Sequence, residues 1–214
     1  GSDTDGVSTS APLRAGFTQI AVGWYHACAL NVDKSIACWG NDGAGRVSDT
    51  PIGNTFVAIA AGAEYSCALD DDGAIHCWGK DGLNQVSNVP TSGEYIQLAL
   101  GQKHACARTT DGDIECWGRN SSGESTPPAN PADVASIAVG ERHSCALYAT
   151  GELACWGASD VGQTDTPTGS TFVDVQAHDA FACARSSDQS ITCWGDDSYG
   201  QVANSPTGAA LLAS

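Results

Sequence analysis

The hydrophobic and polar positions of the chain alternate with a period of two, which predicts β-strands. Valine and isoleucine take alternate positions in FVAIAAG (Phe56–Gly62), and two further apolar segments, YSCAL (Tyr65–Leu69) and AIHCWG (Ala74–Gly79), flank a short turn. A fourth segment, NQVSNVP (Asn84–Pro90), is typical of a short edge strand that ends at proline. Because no segment shows a helical apolar period over about 11 residues, we predict an all-β fold.

This four-segment pattern recurs along the chain. Its starting positions are Phe17, Phe56, Tyr95, Val134 and Phe172, which are separated by 39, 39, 39 and 38 residues. A fixed period of this size is the signature of a repeat architecture. The predicted repeats are residues 17–55, 56–94, 95–133, 134–171 and 172–210. An N-terminal segment, residues 1–16, precedes them, and residues 211–214 follow in the phase of a sixth first strand.

Two cysteines lie in each repeat with nine residues between them. The pairs are Cys28/Cys38, Cys67/Cys77, Cys106/Cys116, Cys145/Cys155 and Cys183/Cys193. In the second repeat, Asp71–Gly73 fits a three-residue hairpin loop that ends in a left-handed residue. This loop places Cys67 opposite Cys77 at a non-hydrogen-bonded pair, where Cα atoms lie about 4.5 Å apart, within reach of a disulfide. Lys34 and Gln189 replace the loop glycine in the first and fifth repeats, so those turns are less well defined.

The even number of cysteines and this hairpin geometry favour one disulfide in each repeat. Reduced cysteines buried as small core residues, and zinc ligands, are the alternative states. The spacing lacks the C-x₂-C character of zinc sites, however. Disulfides persist in oxidising compartments, so the favoured state predicts an extracellular, cell-surface or periplasmic protein.

A tryptophan follows the second cysteine of each repeat and points to the opposite face of its strand. These residues are Trp39, Trp78, Trp117, Trp156 and Trp194. Leu69 and Ile75 lie on the cysteine side, so both faces of the hairpin are apolar and both are expected to be buried. A small sheet that is buried on both faces and repeats along the chain is typical of a β-propeller blade.

The net charge narrows the possible partners. The sequence has 25 acidic and nine basic residues, a net charge of −16. A nucleic-acid-binding protein needs a basic surface to displace counterions from phosphates, so nucleic acid is not an expected partner. Anionic membrane surfaces are disfavoured for the same reason, and no apolar run approaches the ~18 residues of a membrane span.

Histidine recurs at one position of the repeat but does not indicate catalysis. His26, His104 and His143 take a place that Tyr65 and Phe181 take in the other repeats, which indicates a packing position. The sequence contains no nucleophile-elbow, phosphate-loop or zinc-protease motif. We therefore expect no enzymatic activity, no catalytic residue, no bound metal and no cofactor.

The pattern H-x-C-A-L…D-G…C-W-G-x-D-x-x-G-Q resembles the regulator of chromosome condensation 1 repeat, most of all its bacterial secreted variety with paired cysteines. The resemblance covers residues 17–210 and is clearest in CWGKDGLNQV (Cys77–Val86) and CWGDDSYGQV (Cys193–Val202). It implies a β-propeller of four-stranded blades, commonly seven. Arg46 and Glu124 replace the family glutamine in the first and third repeats. The family's nucleotide-exchange and chromatin functions need a basic surface and insertions that this sequence lacks, so they are not carried over.

Five repeats leave two architectures open, a five-bladed ring or an open part of a longer array. Asp5–Pro12 aligns with Ala44–Pro51, the end of the first repeat, and Ala209–Ser214 aligns with the first strand of a sixth. Residues 1–16 are therefore either a tail or a closing strand. Unclosed end strands could join copies of the chain into a ring or a fibre.

Two residues before the recurrent aromatic or histidine vary from repeat to repeat while the scaffold positions stay the same. They are Trp24 and Tyr25, Ala63 and Glu64, Gln102 and Lys103, Glu141 and Arg142, and Asp179 and Ala180. We expect them to ring one face of the propeller and to bind a protein partner, with Trp24 and Tyr25 as anchors. Polar turns such as Asn41–Gly43 are expected on the opposite face. The short period is similar to that of the propeller-type β-lactamase inhibitory proteins, in which the resemblance implies that such loops grip the partner.

The predicted function is thus that of a non-enzymatic secreted or cell-surface scaffold that binds a protein. A self-assembling structural protein and an inhibitor of a secreted enzyme are the alternatives.

Overall fold

The computed structural model describes residues 6–7, 10–12, 15–53, 55–129 and 133–206. Each repeat forms one antiparallel sheet of three strands, called a blade, with its strands in sequence order from inner to outer. The strands are β1 (Phe17–Val22), β2 (His26–Asn31) and β3 (Ile36–Gly40); β4 (Phe56–Ala61), β5 (Tyr65–Asp70) and β6 (Ile75–Gly79); β7 (Tyr95–Leu100), β8 (His104–Thr109) and β9 (Ile114–Gly118); β10 (Val134–Val139), β11 (His143–Tyr148) and β12 (Leu153–Gly157); and β13 (Phe172–His178), β14 (Phe181–Ser186) and β15 (Ile191–Gly195).

The prediction of a fourth strand in each blade is wrong. The segment Asn84–Pro90 forms turns instead, because one carboxylate oxygen of Asp81 accepts hydrogen bonds from the backbone N–H groups of Val86 and Ser87 at 2.8 and 3.0 Å. Asn84 itself adopts a left-handed conformation with φ 61°. A backbone folded around one carboxylate cannot present its N–H groups to a neighbouring strand. The connector, which is the segment that joins two blades, is therefore folded into turns.

The predicted disulfides are confirmed in all five blades. Cys67 pairs directly with Cys77 in the register of β5 and β6, and their Cα atoms lie 4.1 Å apart. All ten cysteines are bonded within their own hairpins, so each blade carries its own covalent link between the middle and outer strands. The other four pairs have the same register and Cα distances of 4.0–4.1 Å: Cys28 with Cys38, Cys106 with Cys116, Cys145 with Cys155, and Cys183 with Cys193.

The expected burial of the cysteine side of the hairpin is complete only for the middle strand. In blades 1 to 4 the middle-strand cysteine is inaccessible to solvent. Its partner in the outer strand is only half-buried, because that strand lies furthest from the centre of the array and the next blade covers it less completely. The half-buried cysteines of the outer strands are Cys38, Cys77, Cys116, Cys155 and Cys193.

The hairpin loops are alike even where glycine is missing. Gly73 has φ 76° at the left-handed position of the second blade, and Lys34 and Gln189 adopt φ 66° and 71° at the same place in blades 1 and 5. A side chain at this conformation costs roughly 1 kcal/mol relative to glycine. The blade register thus overrides the local preference of these two residues.

Replacement of Gln189 by glycine is expected to stabilise the protein by about 1 kcal/mol, because glycine adopts the left-handed conformation without a steric penalty. Chemical denaturation of the oxidised chain measures the change. Ser187→Gly is the matched control, since Ser187 lies in the same loop, is exposed and is not among the residues with positive φ. The control should lower the stability slightly, and a stability gain of equal size in both variants would contradict the explanation.

Adjacent blades pack face to face through an apolar core. The face of each blade that carries the disulfide, the cysteine face, contacts the face of the next blade that carries the tryptophan, the tryptophan face. Between blades 1 and 2, Cys28 and Leu30 pack against Phe56, Ile59 and Trp78, which are all nearly inaccessible to solvent. Equivalent clusters lie between blades 2 and 3, 3 and 4, and 4 and 5.

Each tryptophan also fixes the connector in front of it. The indole N–H groups of Trp78 and Trp117 donate to the backbone carbonyls of Arg46 and Gln85, both at 3.0 Å. Trp156 and Trp194 make the same bond at 3.0 and 3.1 Å. Trp39 in the first blade donates to the carbonyl of Val7 at 2.7 Å, so the N-terminal segment takes the place of a connector there.

Among the described residues, one face of blade 1 and one face of blade 5 have no neighbouring blade. Ile20 on the tryptophan face of blade 1 is 63% exposed, whereas the equivalent Ile59 of blade 2 is 4% exposed. On the cysteine face of blade 5, Arg185 is exposed. Within the part of the chain that the structure describes, no apolar cluster joins blade 5 to blade 1. Residues 211–214, expected to begin a sixth strand, lie outside the described residues.

Candidate functional site

The five variable residue pairs lie in the turns between inner and middle strands, at one end of every blade. Because strands alternate in direction, the outer strand ends at this same end of the blade: His26, the first residue of β2, pairs with Gly40, the last residue of β3. The N–H of Asn41 then donates to the carbonyl of Tyr25 at 2.8 Å. Equivalent bonds of 2.8–3.0 Å join the connector to the turn in the other four blades.

The expectation that the connector turns lie on the opposite face is therefore wrong. The inner turns and the connectors that follow the outer strands form one continuous surface, called here the recognition face. The loops between middle and outer strands, such as Val32–Ser35, lie at the other end of the blades.

The centre of the recognition face is a funnel with a volume of about 340 Å³. Every blade contributes the end of its inner strand and the first residues of its turn, from Val22–Trp24 in blade 1 to His178–Asp179 in blade 5. Neighbouring turns approach closely: a Cβ at Gly101 would lie 2.2 Å from the carbonyl oxygen of Gly140. Glycine is required at this position because the next blade leaves no space for a side chain.

Trp24 and Tyr25 form the aromatic edge of the face. Trp24 is 56% and Tyr25 is 37% exposed, and their rings meet edge to face at 6.3 Å between centroids. The guanidinium of Arg46 lies over the Tyr25 ring at 5.3 Å, close enough for a cation–π contact. The N–H of Trp24 donates to the carbonyl of Ala63 at 3.0 Å. Both aromatic residues are therefore held in position before any partner binds.

A charged network continues from this edge to the second blade. Arg46 Nη2 lies 2.8 Å from Glu64 Oε1, and Lys80 Nζ lies 2.6 Å from Glu64 Oε2. Arg46 also donates from Nη1 to Asn41 Oδ1 at 2.7 Å. The hydrogen bond from Lys80, together with the charge of Arg46, lowers the pKa of Glu64. Glu64 thus stays ionised and links two blades.

A second network lies in blades 3 and 4. Arg119 donates from Nε to the buried Glu124 at 2.6 Å and from Nη2 to the carbonyl of Glu141 at 2.7 Å. Burial alone would raise the pKa of Glu124, but its hydrogen bonds with the backbone and with Arg119 outweigh this effect and lower the pKa. Arg142 contacts Asp160 at 3.2 Å and donates to Ser122 at 2.7 Å.

The remaining predicted residues are spread around the funnel. Gln102 and Glu141 are half-buried in its wall, and Lys103 is exposed beside it. Asp179 is exposed, and its carbonyl accepts a hydrogen bond from the N–H of Glu141 at 2.7 Å. The structure thus places all five variable pairs on one face, and it brings Tyr25 and Glu64 together through Arg46.

Several residues of this face were missed by the sequence analysis. The connectors present apolar side chains at one repeat position, and Leu83, Val161 and Tyr199 there are 41%, 45% and 93% exposed. Five of the nine basic residues of the sequence also lie on this face: Arg46, Lys80, Lys103, Arg119 and Arg142. The sequence did contain a signal for these residues. Arg46 and Glu124 depart from the family glutamine, and the position of Leu83, Val161 and Tyr199 varies between repeats.

Two of the three recurrent histidines form hydrogen bonds with the next blade, and these bonds do not make a catalytic site. His26 Nε2 lies 2.8 Å from Ser66 Oγ, and His104 Nε2 lies 2.9 Å from Ser144 Oγ in the next blade. Ser144 donates its hydroxyl to the carbonyl of Glu124 at 3.0 Å, so His104 must donate to Ser144 and cannot act as its base. All four side chains are inaccessible to substrate. Within the described residues, no group of three potential ligands could hold a metal ion.

Among the described residues, the structure has no helix with the length and hydropathy of a membrane span.

Comparison with known structures identifies related propellers. The ectodomain of the receptor kinase ACR4 of Arabidopsis thaliana superposes with a TM-score of 0.73 at 25% identity, over 92% of this chain and 70% of that one. The ectodomain of the receptor kinase CR4 of Physcomitrella patens gives a TM-score of 0.73 at 25% identity, over 87% of this chain and 52% of that one. Prp20p of Saccharomyces cerevisiae gives 0.69 at 19% identity, over 83% and 56%, which shows the fold alone.

The chain thus spans 70% of the first of these relatives and about half of the second. No curated protein matches the sequence significantly.

The sequence itself matches the profile of the Regulator of chromosome condensation (RCC1) repeat at residues 17–46, 56–85, 95–124 and 134–163. These segments make up more than half of the chain. The fifth repeat is not among them; it has His178 where the others have glycine, and it begins one residue early. The chain belongs to the regulator of chromosome condensation repeat family.

Proposed function

We propose that the chain is a non-enzymatic scaffold that binds a protein partner through the recognition face. One observation carries this proposal: on a scaffold whose hydrogen bonds repeat in every blade, the residues that differ between blades meet on one face. Exposed aromatic side chains, Trp24, Tyr25 and Tyr199, lie at its edges. Aromatic residues dominate the binding energy of protein interfaces, and prepositioned ones lose little conformational entropy on binding.

The same face suits a protein better than a nucleic acid. Four of its five basic residues form ion pairs with acids, as in the contacts of Arg46 with Glu64 and of Arg142 with Asp160. A surface of paired charges and exposed aromatic rings provides specific contacts but no basic field that would attract phosphates. Related propellers in complex with proteins support this choice, since yeast RCC1 (Prp20) has been crystallised with Kap60.

The five disulfides support export to an oxidising compartment, at the cell surface, in the periplasm or outside the cell. Two of the related propellers are receptor-kinase ectodomains, which favours the same location.

Affinity capture with variants of the recognition face tests the proposal. The oxidised chain is immobilised, proteins of the source organism's extracellular fraction are captured, and the affinity of the captured protein is measured for Trp24→Ala, Tyr199→Ala and Val32→Ala. Val32 is 70% exposed but lies in a loop at the other end of the blades, which makes it the control. We expect at least one aromatic variant to weaken binding ~10-fold or more.

A captured protein that binds the aromatic variants as tightly as the native chain, or that is lost with Val32→Ala, would contradict the proposal. If the captured protein is an enzyme, its turnover in the presence of the scaffold distinguishes inhibition from simple tethering.

A further inference from the structure

The funnel at the centre of the recognition face has an acidic lining. Glu141 and Asp179 both line it, and no lysine or arginine is among the described residues that do so. His178 is the remaining titratable residue of the lining, and its Nε2 lies 3.6 Å from Asp179 Oδ2. With histidine neutral at pH 7, the funnel carries a net negative charge.

Glu141 differs from the other glutamates that this face buries wholly or in part. Glu64 pairs with two basic side chains, and Glu124 pairs with Arg119. Glu141 is half-buried as well, yet within the described part of the chain its carboxylate forms no hydrogen bond or ion pair. A carboxylate that has lost part of its hydration without gaining a partner favours a ligand that brings a cationic hydrogen-bond donor.

An aromatic ring borders the same cavity. Trp24 lines the funnel and is 56% exposed, and its backbone N–H is held by the carbonyl of Ala63 at 3.0 Å. Tryptophan attracts a cation over its ring face more strongly than phenylalanine or tyrosine does. The funnel therefore combines carboxylates and an aromatic ring, the two kinds of group that bind an organic cation.

The edge of the same face already holds a guanidinium with these two kinds of group. The guanidinium of Arg46 lies 5.3 Å from the centroid of the Tyr25 ring, and its Nη2 lies 2.8 Å from Glu64 Oε1. A planar guanidinium can stack on an aromatic ring and donate to carboxylates at the same time, whereas the ammonium of lysine is a compact point charge. The lining of the funnel thus favours arginine over lysine.

The size of the funnel suits one side chain. Its volume of about 340 Å³ is at the lower end of ligand sites, which range over roughly 300–1,000 Å³. The wall is formed in advance by turns in close contact, since a Cβ at Gly62 would lie 2.5 Å from the carbonyl oxygen of Gly101 in the next blade. Such a site loses little free energy to reorganisation when a ligand enters.

We propose that the funnel binds an arginine side chain that protrudes from the partner protein. Its guanidinium pairs with the carboxylates of Glu141 and Asp179 and packs against the ring of Trp24. The variable pairs around the funnel contact the surface that surrounds this arginine. The inference rests on the proposed function, because that function supplies a protein partner, and it adds the chemistry at the centre of the interface.

NMR titration of the oxidised chain with a short peptide tests the proposal. The peptide has blocked ends and one arginine among glycines, and a matched peptide carries citrulline, the uncharged analogue of arginine. The indole N–H resonance of Trp24 reports binding at the funnel. The variant Trp24→Phe identifies that resonance.

The double variant Glu141→Gln/Asp179→Asn removes both negative charges with little change of shape. Asparagine suits position 179, where φ is 40°, because asparagine and aspartate both adopt left-handed conformations. Asp49→Asn/Asp165→Asn is the matched control, since both of its aspartates are exposed on connectors and lie outside the funnel lining. Backbone amide spectra verify that both variants are folded.

We expect the arginine peptide to shift the Trp24 resonance saturably, with a dissociation constant of about 1 mM or lower. The citrulline peptide and the double variant of the funnel should each bind at least ~10-fold more weakly, and the control variant should bind within about 2-fold of the native chain. Salt from about 0.05 M to about 0.5 M should weaken binding, because it screens the attraction. No saturable shift up to ~20 mM overturns the proposal, as does equal binding of the citrulline peptide or an equal loss in both double variants.

The captured protein provides a second measurement that separates this proposal from the function on which it rests. Its affinity should fall at least ~10-fold for Glu141→Gln/Asp179→Asn and stay unchanged for the control. Unchanged affinity for the funnel variant overturns the arginine site, while loss of binding in the aromatic variants would still support the scaffold function. The peptide titration needs no captured protein, so a failed capture does not alter its result.

Discussion

Reduction of all five disulfides is expected to unfold the protein at neutral pH. Each bridge closes a hairpin between cysteines ten residues apart, and such a loop contributes about 2–3 kcal/mol in the chain-entropy model. Five bridges together are comparable with the whole stability of a domain, roughly 5–15 kcal/mol. Each blade is only a three-stranded sheet. In the reduced chain, packing between blades would therefore have to supply the stability that the bridges provide in the oxidised chain. Unfolding curves of the oxidised chain and of the reduced and alkylated chain measure the loss.

The five bridges are not expected to react at the same rate. The outer-strand cysteine is half-buried in every blade, so the bridges differ only in the solvent exposure of the middle-strand cysteine. Within the described residues no blade packs against Cys183, which is half-buried, so the bridge of blade 5 offers both sulfurs to a reductant. A reductant must reach a sulfur to attack it, so the bridge of blade 5 should be reduced first in the native state. In the other blades a following blade makes the middle-strand cysteine inaccessible to solvent: Cys28, Cys67, Cys106 and Cys145.

Mass spectrometry after brief reduction and alkylation measures this order. We expect an early species with two alkylated thiols per chain, located at Cys183 and Cys193. The unreduced chain treated with the alkylating reagent alone is the control and should show no modification, because all ten cysteines are bonded. Equal rates for all five bridges, or early loss of the Cys67–Cys77 bridge, would show that blade packing does not control access.

Acidification from pH 7 to pH 5 is expected to cost the fold several kcal/mol. Burial lowers the pKa of His26, His104 and His143 from 6.5 to about 4. In the unfolded chain these rings take up a proton near pH 6.5, whereas in the folded chain they stay neutral until about pH 4. The unfolded state thus binds more protons between these values, and stability falls as the pH falls through this window.

The size of the loss follows from the two pKa values. Since each tenfold difference in proton affinity is worth about 1.4 kcal/mol, each histidine costs about 2 kcal/mol at pH 5, or roughly 6 kcal/mol for three independent sites. Above pH 7 the histidines add no further pH dependence. Carboxylates with a lowered pKa, such as that of Glu64, remain ionised at pH 5 and lose their contribution only at lower pH. Denaturation at a series of pH values measures the slope.

The variant His143→Tyr tests most directly how one buried histidine contributes to the loss of stability between pH 7 and pH 5. Both ring nitrogens of His143 are buried without a hydrogen-bond partner, because Ala182 stands where Ser66 and Ser144 face the other two histidines. Tyr65 shows that tyrosine fits this repeat position, and its hydroxyl donates to the carbonyl of His104 at 2.6 Å. A tyrosine at position 143 can donate to the equivalent carbonyl of Phe181. We expect a gain of about 1–3 kcal/mol at pH 7 and a pH slope reduced by about one third.

Phe181→Tyr is the matched control for this variant. It adds a hydroxyl at the same repeat position but removes no histidine, so the pH slope should stay as in the native chain. If His143→Tyr left the slope unchanged, the buried histidine would not be a source of the acid sensitivity.

The disulfide register could be predicted because it depends on residues close in sequence. The three-residue loop at Asp71–Gly73 and the alternation of the flanking strands suffice to bring Cys67 opposite Cys77. The prediction of a fourth strand was wrong because a side chain close in sequence forms hydrogen bonds with the backbone of that segment. Val86, Val89 and the closing Pro90 suggested a short edge strand, but the Asp81 carboxylate accepts hydrogen bonds from the backbone N–H groups of Val86 and Ser87, and the chain folds into turns.

The candidate site was predicted in part. The variable pairs could be found because they keep one phase in the repeat, from Trp24 and Tyr25 onward. The connectors were assigned to the wrong face, and with them the exposed Tyr199 was missed. The charged network from Tyr25 through Arg46 and Glu64 to Lys80 joins residues of two blades, and no spacing in the sequence indicates which side chains will meet there.

The sequence by itself determined the blade, because the blade is made by short-range rules: strand alternation, a hairpin loop and two cysteines that face each other. Only the tertiary structure decided how the blades end and what they expose. Ile20 and Ile59 hold the same place in the same pattern, yet one is exposed and the other is buried. The difference lies in whether another blade packs against the face, and burial of that kind depends on neighbours distant in the chain and not on the residue itself.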